Sequence, residues 1–567
     1  MKRFPVVAFG LLVGSGFARA ADMPNVIPAY PAVALWSWTG LYVGGHIGGG
    51  FGSSQFADPA GPSIYGGNVR SPAALGGAQV GYNWQIPNSR FLVGVEADAS
   101  ASTADGTATC LASSGFFISA NCRVRQDAAG SLTGRIGFVT GAQGRTLIYA
   151  KAGGAWLQER VDVTTNGLIP PIATSFEGMR WGWTAGAGVE KALTPAWSFR
   201  LEYDYANFGN FNVATPASYF QVLPPFNAYV ATNGGASSVS QNLHSVKVGL
   251  NYKVGEDLYA RWEPSASDYH LRGTTDVSYV PDAEIEIGGR TWYSSGRFQK
   301  DLGSSVDQAQ QNALNSRLTY NTTAASGEVF GRIDTSSNIF LKGFIGGGKI
   351  LSGNMHDEDW VIFDATVPYS NTLSSPVTGD LGYATIDVGY SLFRGPSANV
   401  GGFIGYNYFR ENKSAYGCTQ IANSNSDCVP SLSSSILGIT EDDTWNSLRI
   451  GVNGAVKLMD RLTLTADAAY LPYVSFRGFD NHLLRSDVAN TVSSETGTGR
   501  GVQLEAILSY AFGKSFSVGA GGRYWAMWAT DASTNIFGTP CPCQTLPART
   551  ERYGGFVQAS YKLDGFK

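Results

Sequence analysis

The chain has 567 residues, of which 71 are glycine, 12% are aromatic and 15% are charged. Its formal net charge of −4 argues against a nucleic-acid partner, because proteins that bind phosphate backbones present clustered basic residues. After the first twenty residues no run of about 20 apolar residues occurs, which excludes transmembrane helices. The length allows two or more domains.

The first twenty residues predict a secretory signal peptide. A basic start, MKR, precedes the apolar stretch FPVVAFGLLVGSGF and the small-residue sequence ARA. The apolar stretch is too short to span a bilayer with ease. Residues 1–20 are therefore expected to be removed from the mature protein.

The six cysteines are then expected in an oxidising compartment. Cys110 and Cys122 flank one loop and Cys418 and Cys428 flank another, so each pair predicts a disulfide that closes a loop. A disulfide between Cys541 and Cys543 would be strained, because one residue separates them. Their role stays open.

Segments in which apolar and polar residues alternate recur along the rest of the chain. Eight of them begin at Gly40, Ala73, Arg90, Gly130, Arg145, Arg180, Ala196 and His244. In the third, Glu96 and Asp98 share one face while Val93 and Val95 share the other, as in a small barrel that is polar inside and apolar outside. Trp and Tyr near the segment ends are typical of a lipid-facing band.

The opening segment WTGLYVGGHIGGGFG and the closing segment VKVGLNYKV resemble small outer-membrane immunogenic, opacity-type surface proteins over residues 36–254. The resemblance implies an eight-stranded barrel in the outer membrane, which we assign to residues 21–254. Its interior would be filled by side chains, and its role is expected to be structural, adhesive or antigenic.

Residues 255–271 contain Pro264 and few apolar repeats, which predicts a periplasmic linker. Ten further strand candidates follow within residues 272–567. They begin at Asp282, Asn315, Asn338, Gly382, Asn399, Trp445, Arg461, Gly501, Phe516 and Tyr553. The sequence thus predicts an all-β fold of two transmembrane antiparallel β-barrels in a Gram-negative type of outer membrane. One closed sheet of eighteen strands with a wide pore, as in a porin, is the alternative.

Two polar clusters follow ascending strands and are predicted at the same outer rim. In NMHDEDW, period-2 geometry puts Asp357 and Asp359 on one face and Glu358 on the other. Two neighbouring carboxylates that are partly desolvated cannot both ionise freely, so one pKa should rise. Further on, Asp480 and His482 share a face, and a carboxylate beside an imidazole suits a general base that acts on water.

Two such pairs across a barrel mouth would form a hydrolytic site without a side-chain nucleophile. A solvated acidic loop that binds a divalent cation is the other interpretation of the first cluster. EF-hand and zinc-ligand spacings are both absent, so no metal site is predicted.

The stretch Asn354 to Trp360 resembles the NMxDxDW signature of the omptin family of outer-membrane endopeptidases, and Asp480-Asn481-His482 resembles that family's Asp-x-His. The resemblance covers about residues 272–567 and implies a ten-stranded barrel. It implies that Asp357 and Asp359 bind and polarise a water, which the dyad of Asp480 and His482 activates. The implied substrates are polypeptides at the cell surface, and no cofactor is implied besides lipopolysaccharide.

The resemblance also has departures. Tyr406 and Arg410 match the family's lipopolysaccharide-binding pattern, but Tyr408 stands where an acid is usual. Gly296 and Gly478 stand where the family has acids in its specificity pocket, so a preference for Arg or Lys is not implied. A non-catalytic surface protein or adhesin on the same scaffold is therefore an alternative function.

Overall fold

The computed structural model describes residues 36–112, 119–141, 143–166, 171–222, 228–255, 283–303, 314–360, 369–422, 427–539 and 544–563. The predicted signal peptide, nearly all of the predicted linker, Cys541 and Cys543 lie outside these ranges. The described chain is almost entirely β-strand, with one short 3-10 helix at Ile536–Gly538. None of its helices is long and apolar enough to cross a membrane.

The first sheet contains eight long antiparallel strands and is a closed barrel in the order β1-β10-β7-β6-β5-β4-β3-β2. Its strands are β1 (Gly40–Phe56), β2 (Asn68–Gln85), β3 (Phe91–Cys110), β4 (Ala120–Thr140), β5 (Thr146–Thr165), β6 (Ala173–Ala192), β7 (Trp197–Thr215) and β10 (Gly235–Val254). A small hairpin, β8 (Ser218–Val222) with β9 (Ala228–Thr232), extends one loop. We call this sheet the first barrel.

The second sheet is built on ten long strands. They are β11 (Ala283–Gly303), β12 (Leu314–Thr335), β13 (Ile339–Asp359), β15 (Val377–Gly395), β16 (Ala398–Gln420), β17 (Leu432–Met459), β18 (Leu462–His482), β19 (Val492–Ala511), β20 (Phe516–Asn535) and β22 (Ala548–Leu563). Two short strands, β14 (Ser370–Ser374) and β21 (Gln544–Thr545), pair at its edges. Each long strand pairs with two others, and pairing of β12 with β13 and of β11 with β22 closes the circle. We call it the second barrel.

The two predicted sets of eight and ten strands are confirmed. No strand pairing in the described residues joins the sets, so the single eighteen-strand sheet is wrong. Several strands are longer than predicted: β4 begins at Ala120 rather than Gly130. The added residues keep the alternation, since Ala120, Cys122 and Val124 are buried in one apolar cluster and polar residues stand between them.

Both barrels are filled inside. In the first barrel Glu96 and Asp98 are buried while Val93 and Val95 face outward, as predicted. The middle of the second barrel is closed by a cluster of buried aromatic side chains, which are Trp292, Tyr320, Tyr383, Trp445 and Trp525. This cluster separates a cavity of about 630 Å³ near the short turns from one of about 390 Å³ at the opposite rim.

The outer surface of the second barrel changes from apolar to polar toward that rim. On β16 and β17, Ile404 and Leu448 are exposed, whereas Arg410 and Asp442 farther along form an ion pair on the same surface. Asp442 pairs in register with Phe479, next to Asp480. The rim that carries the predicted site therefore lies beyond the apolar band.

The two barrels contact each other through their outer walls. Ala74, Phe199 and Val248 of the first barrel belong to one apolar cluster with Val456 and Val502 of the second. The surface that this cluster buries is apolar, as expected for two walls that would otherwise face lipid. The barrels therefore lie side by side.

Candidate functional site

The four predicted catalytic residues lie at the ends of two strands on one rim. Asp357 and Asp359 lie at the end of β13, in register with Leu318 and Ser316 of β12. Asp480 and His482 end β18. Because regular pairing continues to these positions, side chains still alternate between the two faces of the sheet.

These residues line one cavity of about 390 Å³. Asp357 and Asp359 are half-buried, and Asp480 is more deeply buried. Apolar side chains complete the wall, and they include Leu302, Leu318, Met355, Ile439, Leu484, Phe537 and Leu546. The structure thus brings together two polar pairs that are more than a hundred residues apart in the chain.

The dyad is formed by a direct hydrogen bond. His482 Nε2 lies 2.9 Å from Asp480 Oδ2, and the imidazole meets the Phe537 ring edge-on at 5.5 Å between centroids. A carboxylate in this position fixes the imidazole ring and stabilises its protonated form. The geometry suits a base that takes a proton from a substrate or a water.

Lys300 is a site residue that the sequence reasoning missed. From β11, its Nζ lies 2.9 Å from Asp480 Oδ2, the oxygen that also contacts His482. The same ammonium lies 2.5 Å from Glu441 and 2.7 Å from Glu495. The signal in the sequence was a lysine on the inward face of a strand, between Phe298 and Leu302.

Three carboxylates of this group come close enough together for a metal site. Ligand oxygens of Glu441, Asp480 and Glu495 lie within 4.8 Å of one another. Lys300 forms ion pairs with all three, so its ammonium supplies the positive charge that a metal would bring. We assign no metal to this cluster.

The charges at this rim shift several pKa values. Burial and then the neighbouring Asp359 raise the pKa of Asp357 well above its usual range. Burial opposes ionisation of Asp480, but Lys300 and His482 outweigh it and hold its pKa below the usual range. Burial lowers the pKa of His482, yet the Asp480 carboxylate outweighs it and raises that pKa to about 9.

At neutral pH the site therefore pairs an ionised Asp480 with a protonated imidazole, because the pKa of His482 is about 9. Asp357 and His482 also act on each other: the carboxylate raises the pKa of the imidazole, and the imidazole lowers that of the carboxyl. Once His482 has lost its proton, the imidazole can accept one from a water, which is the role of the base in acid–base hydrolysis.

Gly296 and Gly478 are the two glycines at the predicted specificity pocket. Side chains from neighbouring strands fill the space beside each of them. A side chain at Gly296 would meet the guanidinium of Arg552, which contacts Glu411, Ser294 and Thr322. A side chain at Gly478 would meet the Glu495 carboxylate at 2.6 Å. One acid is thus supplied to the pocket by a different strand, and at the other position a cation lies instead.

The residues that match a lipopolysaccharide-binding pattern lie on the outer wall. Tyr406 is exposed, and its hydroxyl donates to Asn446 Oδ1 at 2.5 Å. Arg410 donates to both oxygens of Asp442, at 2.8 and 2.5 Å. Both side chains face away from the cavity, where the apolar band gives way to polar residues.

Both predicted cysteine pairs are bonded in the structure. Cys110 is joined to Cys122 in the first barrel, and Cys418 to Cys428 in the second. The second disulfide lines the cavity, so it fixes a loop at the entrance to the site.

Comparison with known proteins relates the first barrel to outer-membrane proteins. Residues 26–253 match the outer membrane protein beta-barrel domain. The 25 kDa outer-membrane immunogenic protein of Brucella abortus is 31% identical over 216 residues, which are 37% of this chain and 87% of that protein. The 31 kDa outer-membrane immunogenic protein of Brucella melitensis is 29% identical over 245 residues, 42% of this chain and 93% of that protein.

Two solved structures share strand architecture with parts of the chain. The outer membrane protease OmpT from Escherichia coli has a TM-score of 0.41 and 15% identity, covering 51% of this chain and 99% of that one. Ail, the attachment invasion locus protein of Yersinia pestis, has a TM-score of 0.18 and 14% identity, covering 38% of this chain and 99% of that one. Neither score is high enough to carry a functional argument.

The sequence relatives and the matched domain agree with the strand architecture and the apolar outer band. The protein is therefore a multi-pass β-barrel protein of the outer membrane. Through its first barrel, the chain belongs to the family of outer-membrane immunogenic proteins that carry the outer membrane protein beta-barrel domain.

Proposed function

We propose that the second barrel is an omptin-type endopeptidase that hydrolyses polypeptides at the cell surface. One observation carries the proposal: Asp357, Asp359, Asp480 and His482, from two distant segments, line a single cavity at one rim. The NMHDEDW and Asp-x-His motifs support it, because they fall on these residues. The catalytic unit would be residues 272–567, joined by the linker at 255–271 to the first barrel at 21–254.

The chemistry follows from the positions of the four groups. A water between the two pairs gives a proton to His482 while its oxygen attacks the peptide carbonyl carbon. Asp480 stabilises the imidazolium that forms, and Asp357 with Asp359 holds the water by hydrogen bonds. His482 then returns the proton to the amide nitrogen, the C–N bond breaks, and no covalent enzyme intermediate is needed.

A peptide-library assay on the full chain, refolded with and without lipopolysaccharide, tests the proposal. The wild type should cleave defined peptides, and Asp357→Ala should reduce the rate by about 10²-fold or more, since the water loses a binding group. Asp380→Ala is the matched control, because Asp380 is an exposed carboxylate on neighbouring β15, outside the cavity.

Equal rates in wild type and Asp357→Ala would reject the hydrolytic site. Cleavage that appears only with lipopolysaccharide, and that Arg410→Ala weakens, would support lipid binding at Tyr406 and Arg410. Heat-modifiable mobility in gels checks that each variant remains folded.

The second candidate is a non-catalytic surface protein on the same scaffold. The side chain beside Gly296 favours it, because Arg552 lies where a pocket acid would be expected. A folded wild type that cleaves no member of the library, with lipopolysaccharide present, would support this function instead.

Cleavage by the wild type should increase with pH up to about 9. Only neutral His482 accepts a proton, and burial, which lowers its pKa, is outweighed by Asp480, which raises it to about 9. Asp357 also raises this pKa and Lys300 lowers it. Below the pKa, each pH unit should cost about tenfold in rate. A profile of kcat/KM that stays flat between about pH 6 and about pH 9 would contradict this assignment.

A further inference from the structure

At the end of β13, three successive outward-facing residues contact the first barrel. The ring of His356 stacks on Tyr65 with 4.1 Å between centroids. Thr109 Oγ1 donates to Glu358 Oε2 at 3.1 Å, and Trp360 Nε1 donates to Ser119 Oγ at 2.5 Å. Tyr65, Thr109 and Ser119 all belong to the first barrel.

These contacts bury side chains that an isolated barrel would expose. Glu358 points away from the interior of the second barrel, beyond the apolar band, yet it is completely buried. On neighbouring β12, Arg317 is also buried and donates to Thr109 at 2.9 Å and to Asn121 at 2.7 Å. Glu358 also accepts from the Tyr369 hydroxyl at 2.6 Å, and Arg317 also donates to Asp301 at 2.7 Å. The first barrel thus completes the hydrogen bonding of both buried groups, and each bond lost would cost about 1–3 kcal/mol.

A disulfide bond closes the part of the first barrel that contacts β13. Thr109 is the last residue but one of β3, which ends at Cys110, and Ser119 precedes β4. The Cys110–Cys122 disulfide joins the two strands. We call residues 107–112 and 119–123 the rim arm. A cross-linked hairpin has fewer conformations to lose, so it can fix the position of a strand that it contacts.

The contact with the first barrel is coupled to the candidate site because side chains alternate between the two faces of β13. Residues 356, 358 and 360 face the first barrel, while Asp357 and Asp359 between them face the cavity. Because successive side chains share one backbone, the outward anchors cannot shift without moving the inward carboxylates. Misplacement of catalytic groups by about 1 Å can cost about 10²-fold in rate.

We propose that the rim arm of the first barrel is a positioning element for the acid pair, with Thr109 and Ser119 as positioning residues. The catalytic consequence rests on the proposed endopeptidase function, whereas the mechanical coupling does not. The first barrel would then be a permanent partner in cis for the second. Its hydroxyl groups would set the position of Asp357 and Asp359 without touching substrate.

The test compares Thr109→Val/Ser119→Ala with Thr174→Val/Ser175→Ala in the full chain. The control pair changes the same residue types in the first barrel. Among the residues that the structure describes, their hydroxyls bond to Ala214, Val163 and Asp162 of that barrel and to no residue of the second. Hydrogen exchange of residues 354–360 should be about tenfold faster in the first variant and unchanged in the control. In the cleavage assay kcat should fall about ten- to a hundredfold with little change in KM.

Thr109→Ser, tested in place of Thr109→Val, should restore both the hydrogen-exchange rate of residues 354–360 and kcat, because serine keeps the hydroxyl. Unchanged exchange in the Thr109/Ser119 variant overturns the coupling, and faster exchange with an unchanged kcat overturns the positioning role. A wild type that cleaves nothing rejects the endopeptidase function, and the exchange comparison then still decides whether the rim arm holds the strand.

Discussion

His482→Ala should lower kcat for peptide cleavage by about 10³-fold while the barrel stays folded. The imidazole is held by a carboxylate that raises its basicity, with Nε2 2.9 Å from Asp480 Oδ2. Removing it leaves the water bound but without a proton acceptor. Single-turnover rates on a peptide identified from the library, with heat-modifiable mobility as the folding check, measure the effect.

Asp480→Asn should lower kcat by a similar factor, but through a change in the pKa of His482 rather than through loss of the base itself. The amide keeps the shape of the side chain but removes the charge that contributes most to raising the pKa of His482. Burial and Lys300 then lower that pKa against the smaller opposing effect of Asp357. The residual activity should therefore lose its dependence on pH near 9. A variant that retains more than about a tenth of the wild-type rate would contradict the dyad assignment.

The strand arrangement was predictable because alternation is a local property of the sequence. Glu96 and Asp98 against Val93 and Val95 defined an inward and an outward face, and the structure has them so. The same rule separated Glu358 from Asp357 and Asp359. What alternation does not give is the neighbour that an outward residue meets, so the contact of Glu358 with Thr109 was not foreseen.

The contacts of Lys300 could not be predicted from the sequence for a second reason. Lys300 lies on β11, and its partners Glu441, Asp480 and Glu495 lie on β17, β18 and β19. These strands are distant from β11 in the sequence and lie across the barrel interior from it. Only closure of the sheet brings an inward lysine to that point, and no spacing in the chain records it. The same holds for Glu495, which lies beside Gly478 from the next strand.

The cluster around Lys300 also links the site to stability. Breaking a buried ion pair by removing one partner leaves uncompensated charge, and here three carboxylates depend on one ammonium. Lys300→Met should therefore lower the free energy of unfolding by about 3–5 kcal/mol at alkaline pH. Lys349→Met is the control, because Lys349 is 75% exposed and its partner Asp380 is 3.8 Å away.

The way in which the loss of unfolding free energy in Lys300→Met changes with pH distinguishes a lost charge from lost packing. Burial raises the pKa of Glu495 to about 8, and loss of Lys300 would raise it further. A carboxyl group whose pKa is raised in the folded state costs no stability while it is protonated, below about pH 4.5, and the full cost appears once the pH exceeds its folded-state pKa. The deficit of Lys300→Met should thus be small near about pH 5 and largest above about pH 8. Unfolding midpoints at the two pH values measure it, and an equal deficit at both would mean that the lysine stem, rather than its charge, supports the rim.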